Sequence, residues 1–342
     1  VYSSYDASGI ISGGRGAKVI GVAARAVQGT VDQPVTLTGY AAGLSAFGED
    51  GADNPPGMSS ILRLLFQNGA TEVAAVRVAD SGGAAEYQAA FNVLAELENV
   101  QVCVCDSPEL EIQLLLREAV TAASGCRHER IGVVGAAGKA AAELVGHAAG
   151  LNSERMVLVG PDAAGGSSVL CAAALAGAVA SASDPAVPLN GTELYGLDGL
   201  SAVYADNDVD TLVRGGVTPL ESVSGVISPV RCVTTRVTTG GVSDATWREL
   251  STILIVDNVI PSIRTTLRRR FLRAKNTVRN RSAVRSQVIV ELEKKLAAEI
   301  IDGYSDVAVT ADDEDPTVCR VSFSFAVAHG MNQIYLTAHI TV

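Results

Sequence analysis

Hydrophobic and polar positions along the first two thirds of the chain alternate between two grammars. Ala17–Val27 is mainly apolar and predicts a strand, and Pro34–Tyr40 a second short extended segment. Leu44–Pro56 is broken by Gly48, Gly51, Pro55 and Pro56 and predicts a loop. Ile61, Leu62, Leu65 and Phe66 then recur at helical spacing, ending at Asn68-Gly69, a C-cap signal. Strands are predicted at Val73–Val78, Val100–Cys105, Ile131–Val134 and Met156–Val159. Between and after them, helices are predicted at Ala84–Leu97, from Ser107-Pro108-Glu109 to about Ala123, at Ala140–Ala149 and at Ser167–Ala182. The strands are continuous apolar runs, as expected where both faces of a sheet are covered, and the alternation predicts an α/β layer fold with a mainly parallel sheet. Residues 184–230 are less regular, with turns at Pro185, Pro188, Gly191, Gly196 and Gly199 and a short helix at Asp206–Arg214 closed by Gly215-Gly216.

After a predicted strand at Val230–Val237 the pattern changes. Ser243-Asp244 reads as the cap of a helix containing Trp247, Leu250, Ile253 and Leu254, which Pro261 is expected to kink or restart. Val256, Ile260, Ile263, Leu267 and Phe271 continue an i, i+3/i+4 stripe. A second helix carries Val284, Val288, Leu292, Leu296 and Ile300 and is expected to stop near Asp302-Gly303. The pattern then becomes period two: Val321, Phe323, Phe325 and Val327 alternate with small residues. After a turn at His329-Gly330, Ile334, Leu336, Ala338, Ile340 and Val342 share one face of a last strand, opposite Tyr335, Thr337, His339 and Thr341. The expected organisation is a Gly/Ser-rich N-terminal arm at 1–16, an α/β domain at 17–230, an α+β C-terminal domain at 231–331 and a C-terminal β arm at 332–342.

Charge sharpens this division. Residues 1–230 carry a net charge of −14 and residues 231–342 a net of +3, within a total of −11. The parts of the chain therefore face different partners. No apolar run approaches the roughly 20 residues that span a bilayer. The polar stretch Val1–Gly16 does not read as a signal peptide, although the sequence does not begin with Met and a processed leader is compatible with it. The cysteines, Cys103, Cys105, Cys126, Cys171, Cys232 and Cys319, mostly sit in apolar runs and read as small buried hydrophobes. Cys103 and Cys105 share one strand face, the one spacing among them compatible with a metal.

Catalytic and nucleotide motifs fail on spacing. In Gly132-Val-Val-Gly-Ala-Ala-Gly138-Lys139-Ala140, the first phosphate-loop glycine falls at Val133, and Ala140 replaces the Ser/Thr that would bind the metal ion. Gly14-Arg15-Gly16 lacks its third glycine at Val19, and there is no Gly-x-Ser-x-Gly elbow. His128, His147, His329 and His339 read as surface or half-buried polar residues, and Asp312-Asp313-Glu314-Asp315 as a solvated turn with weak cation binding as the minor alternative. These readings imply no cofactor. One feature stands apart: between Pro261 and Val290 lie Arg264, Arg268, Arg269, Arg270, Arg273, Lys275, Arg279, Arg281 and Arg285, with no acid among them. A solvated face normally mixes signs, so this run points to an acidic partner, either a protein surface or nucleic acid. The absence of stacking aromatics or a reader motif favours protein.

Residues 232–342 contain Asp244-Ala-Thr-Trp247, Ile255-Val-Asp257-Asn258, Arg270-Phe-Leu-Arg-Ala-Lys275-Asn276, Arg285-Ser-Gln287, Phe323-Ser-Phe-Ala-Val327 and Gly330-Met-Asn-Gln-Ile-Tyr-Leu336. Before them come Ala17-Lys-Val-Ile-Gly-Val-Ala-Ala24, Gln33-Pro-Val35, Phe47-Gly-Glu49, Leu65-Phe-Gln-Asn-Gly-Ala70 and Val76-Arg-Val78. In this order the segments resemble contractile tail sheath proteins of phages and related injection devices, closely over residues 232–342 and more loosely before that. The resemblance implies a structural subunit with no catalysis and no cofactor, stacked as hexameric rings in a helical lattice around a tail tube, with the C-terminal domain inside and the α/β domain outside. Terminal arms complete neighbours' sheets, which places Gln333, Ile334, Tyr335, Leu336, Thr337, Ala338, His339, Ile340, Thr341 and Val342 as the inter-subunit strand and the nine cations as tube contacts. It further implies baseplate and tail-terminator partners and no membrane insertion. Assembly is expected in the bacterial cytoplasm, before incorporation into a virion tail or tailocin-type particle. The competing readings are an α/β enzyme that binds a small molecule or nucleotide, or a nucleic-acid-binding protein that uses the Arg-rich helix.

Overall fold

A computed structural model describes residues 18–51, 55–165 and 167–332. Its N-terminal part is an eight-stranded sheet. In chain order the strands are β1 (Val19–Arg25), β2 (Pro34–Leu37), β3 (Val73–Val78), β4 (Val100–Cys105), β5 (Ile131–Gly135), β6 (Met156–Gly160), β7 (Val217–Val223) and β8 (Val226–Pro229), arranged β2-β3-β1-β4-β5-β6-β7-β8. The sheet is parallel from β3 to β7, and the short edge strands β2 and β8 are antiparallel to their neighbours. Strands β5 and β6 are buried along their whole length, as their unbroken apolar sequences require.

Helices cover both faces. The connections are α1 (Tyr40–Phe47), α2 (Met58–Gln67), α3 (Ala84–Glu96), α4 (Leu110–Gly125), α5 (Ala141–Leu151), α6 (Ser168–Ser181) and α7 (Asp206–Arg214). Side chains of α3, α4, α5 and α7 form one core with the sheet, including Phe91, Leu116, Leu144 and Leu212. On the other face α6 lies between the sheet and α2. It is built of Ala, Val, Leu and Cys and is buried almost all round, as a helix covered on two sides must be. Gly177 permits the close approach of α2, because a Cβ there would stand 2.8 Å from the Leu65 carbonyl oxygen.

The C-terminal part holds a two-residue-stranded hairpin, β9 (Thr238–Thr239) and β10 (Val242–Ser243), then α8 (Leu250–Phe271), α9 (Val278–Ala297) and a ribbon of β11 (Ile301–Ala311) and β12 (Cys319–Val327). Leu250 and Ile253 of α8 belong to the core shared with α6, whereas Ile255, Val259 and Ile263 pack with Val288 and Leu292 of α9 and with Ile300 and Ile301 in a separate core. Helix α8 therefore joins the two cores. Phe323 and Phe325 of β12 pack at the margin of the second core.

Several expectations are corrected. Tyr40–Phe47 is a helix inside a region read as extended and loop. The helix predicted from Ser107-Pro108 starts at Leu110; Ser107 Oγ instead accepts from the Glu109 N–H, 3.3 Å, one step ahead of it. β7 and β8 form a hairpin through Ser224-Gly225, both at positive φ as a two-residue turn demands, where no strand was expected. Val230–Val237 is not a strand and makes one bridge, Val233 to Glu249. Ser243 lies in β10, and α8 begins at Leu250. Asp244 does not cap α8: it accepts from the N–H of Thr246, 2.9 Å, in a local turn. Pro261 neither ends nor restarts α8, and the buried stripe is Ile255, Val259 and Ile263, one position off the predicted start. Helix α9 ends at Ala297, and Asp302-Gly303 lies within β11. The expected arms, 1–16 and most of 332–342, lie outside the described residues.

Candidate assembly surface

Helix α8 is fixed to the α/β part by ion pairs. Arg155 donates to both carboxylate oxygens of Asp257, 2.9 and 3.1 Å, in the bidentate geometry that guanidinium and carboxylate favour. One helical turn beyond Pro261, Arg264 pairs with Glu129 at 2.7 Å. Pro261 removes the N–H that the Asp257 carbonyl would accept. These two clamps on either side of it explain why the helix runs through.

Past Arg264 the helix carries its cations away from that contact. The nine basic residues divide into two groups. Arg264 is paired with Glu129; Arg281 donates to the Asn276 carbonyl and side-chain oxygens at 3.2 and 3.0 Å; Arg285 donates to the Val307 carbonyl at 2.8 Å. Arg268, Arg269, Arg270, Arg273, Lys275 and Arg279 are exposed and make no ion pair or side-chain hydrogen bond among the described residues. All six lie in the last turn of α8, the connecting turn and the start of α9.

The turn itself is built. Asn276 Nδ2 donates to the carbonyls of Pro316 and Val318, 2.8 and 2.9 Å, pinning it to the β11–β12 connection. Thr277 caps α9 by accepting from the Asn280 N–H, and Asn280 Nδ2 donates back to the Lys275 carbonyl, 2.7 Å. In the β11–β12 turn, Asp312 accepts from the N–H groups of Glu314 and Asp315, 3.0 and 3.1 Å, and pairs with Arg320. Those donors hold its carboxyl below the ordinary aspartate value, the Asp315 N–H most strongly. Asp312 thus serves the turn.

Strand β11 pairs with β12, and among the described residues no third strand joins either outer edge. A groove of about 320 Å³ runs between α9 and β11, lined by Val278, Arg281, Arg285, Val309 and Ala311. The inter-subunit strand residues Gln333–Val342 lie outside the described residues.

The places that invited a chemical reading are otherwise employed. At Gly138-Lys139, the loop before α5, Asp162 presents a carboxylate that burial raises above its usual value while the Gly138 N–H and the Lys139 charge draw it down. A phosphate there would meet that carboxylate. At the carboxyl ends of the parallel strands, where α/β folds bind ligands, a crevice of about 440 Å³ is lined by Arg25, Asp50 and Asp106. Asp106 is taken up by the Arg25 N–H and Nε, 3.1 and 2.8 Å, and by the Tyr87 hydroxyl, 2.5 Å. Asp50 caps α2 through the N–H groups of Gly57 and Ser60. Cys103 and Cys105 are buried in the apolar core, burial pushes the Cys105 thiol up to about 12, and no cluster suited to a metal occurs among the described residues. His147 meets Gln113 Oε1 at 2.8 Å, and burial lowers its pKa.

Residues 242–341 match the family described as the phage tail sheath C-terminal domain. The family match is confined to this C-terminal stretch. A tail sheath protein of Bacillus phage SP01 is 32% identical over 218 residues, which cover 60% of this chain and 37% of that protein. The chain thus spans well under half the length of this sheath relative. Solved sheath structures share the fold. The anti-feeding prophage helical sheath in its contracted state matches with a TM-score of 0.73 at 17% identity, covering 99% of this chain and 98% of that one. The sheath tail protein of Desulfitobacterium hafniense matches with a TM-score of 0.70 at 10% identity, covering 96% and 100%. Two apolar residues at the basic turn escaped the sequence reading. Leu272 and Val278 are 73% and 72% exposed. Val278 even falls at helical spacing from Arg281 and Arg285, but nothing in the sequence separates an exposed apolar residue from a core one.

Proposed function

We propose that the chain is the subunit of a contractile tail sheath, polymerising as stacked hexameric rings around a tail tube and shortening to drive that tube through a target envelope. The observation that carries this reading is the β11–β12 ribbon, two strands whose outer edges no further strand joins among the described residues. Unpaired edges invite an added strand, and main-chain hydrogen bonds then supply affinity. Val1–Gly16 and Gln333–Val342 are the segments proposed to add strands to neighbouring subunits. The domain limits at 17–230 and 231–331 belong to this reading, with the α/β part outward and the sheath domain toward the tube. The exposed cations Arg268, Arg269, Arg270, Arg273, Lys275 and Arg279 then face an acidic tube. Arg264, Arg281 and Arg285 shape the site from within. Such a subunit performs no catalytic step and needs no cofactor. Baseplate and terminator proteins are its further partners, and it passes from the bacterial cytoplasm into the tail of a virion or released particle.

Truncation tests the linkage. Deleting Gln333–Val342 is expected to leave a soluble, cooperatively folding monomer that forms no polymers, read by sedimentation and thermal melting. Polymers as abundant as those of the full chain contradict the proposed joint.

A further inference from the structure

The basic turn carries more than charge. Leu272 follows the last residue of α8 and Val278 begins α9, so the two flank the turn that bears Arg273 and Lys275, and both are largely exposed, at 73% and 72%. Val318, whose carbonyl accepts from Asn276 in that turn, is also exposed. Single exposed apolar residues mean little. Here three occur on one hydrogen-bonded unit whose chain segment also bears six exposed cations, and Val278 lines a groove together with Val309 and Ala311. Exposed apolar residues in company with arginines are the composition of an interface centre and its rim.

We infer that Leu272 and Val278 are the apolar anchors of this contact, and that its partner is an acidic protein surface bearing apolar side chains of its own. The inference rests on the tube-facing reading of the basic turn. The chain's own arms do not complement the site: residues 1–16 hold one acid, Asp6, against one base, Arg15, and residues 333–342 hold neither. An acidic tube surface does. The two components of the contact answer to different conditions. Attraction between exposed charges weakens over the salt range in which the Debye length shrinks, whereas apolar burial does not. The anchors therefore supply the part of the binding that survives salt.

The test is cosedimentation of the full chain with tail tubes from the same particle, at about 0.05 and about 0.5 M salt, the two limits set by screening. Three proteins are compared: wild type, Leu272→Ser with Val278→Ser, and Arg268→Glu with Arg273→Glu. Both pairs are exposed, and thermal melts verify that each variant stays folded. Wild type is expected to bind at both salts. The serine pair is expected to bind about tenfold or more weaker at low salt and not at all at high salt. The glutamate pair is expected to fail mainly at low salt. A serine pair indistinguishable from wild type at both salts overturns the anchors and leaves the tube reading intact. Wild type that does not sediment with tubes overturns that reading as well. A serine pair that binds tubes normally but no longer polymerises alone also overturns the inference, since the surface then faces a second copy.

Discussion

Single residues decide whether the two cores stay joined. Arg155 and Asp257 are both mostly buried, and removing Asp257 would take from the Arg155 guanidinium the carboxylate it pairs with. Replacing Asp257 by Ala is expected to lower stability by about 1–3 kcal/mol, measured by denaturant unfolding; no change would mean that α8 is held by packing alone. Gly177 is a second such position. Gly177→Ala places a methyl group against the α2 backbone and is expected to cost about 1–3 kcal/mol, seen as a drop in melting temperature. Asp244 offers a pH reading. Hydrogen bonds from Thr246, first its hydroxyl and then its N–H, hold the Asp244 carboxyl at about 2. Because the folded value is depressed, its contribution is present above the ordinary aspartate value and is lost as pH falls through the folded one. An NMR titration should place the Asp244 midpoint near 2; a midpoint at the ordinary aspartate value would mean that the Thr239–Thr246 turn is not formed.

Among elements, legibility followed the strength of the periodic signal. Strands β3 and β4 were read from sequence with their observed limits, because each is an apolar run bounded by polar turns. Helix α1 was not legible: Tyr40-Ala-Ala-Gly-Leu-Ser-Ala-Phe47 buries only Gly43 and Phe47 and presents almost no amphipathic stripe. β11 was hidden for a related reason, since Asp302, Gly303, Ser305 and Asp306 read as loop, and the strand is bulged where Asp306 takes a positive φ. Pro261 misled because its local rule was outweighed by the clamps at Asp257 and Arg264. The basic run of the candidate site was plain in the sequence, but its division was not. Whether an arginine faces solvent or a carbonyl, as Arg285 faces Val307, depends on a strand more than twenty positions away.

At the scale of the molecule, an acidic α/β part and a basic-tipped C-terminal part are joined through α8, and no helix among the described residues is long and apolar enough to cross a membrane. Every carboxylate that lines the crevice at the strand ends and is described above is engaged by the chain's own donors. The ribbon edges, in contrast, are joined by no further strand among the described residues. Assembly is therefore the activity to measure. The most direct test is electron microscopy of the purified full-length chain with tail tubes from the same particle. Six-fold rings stacked as a helical sleeve on the tubes are the predicted result. Bare tubes beside monomeric protein, at concentrations where the protein remains folded, would contradict the account.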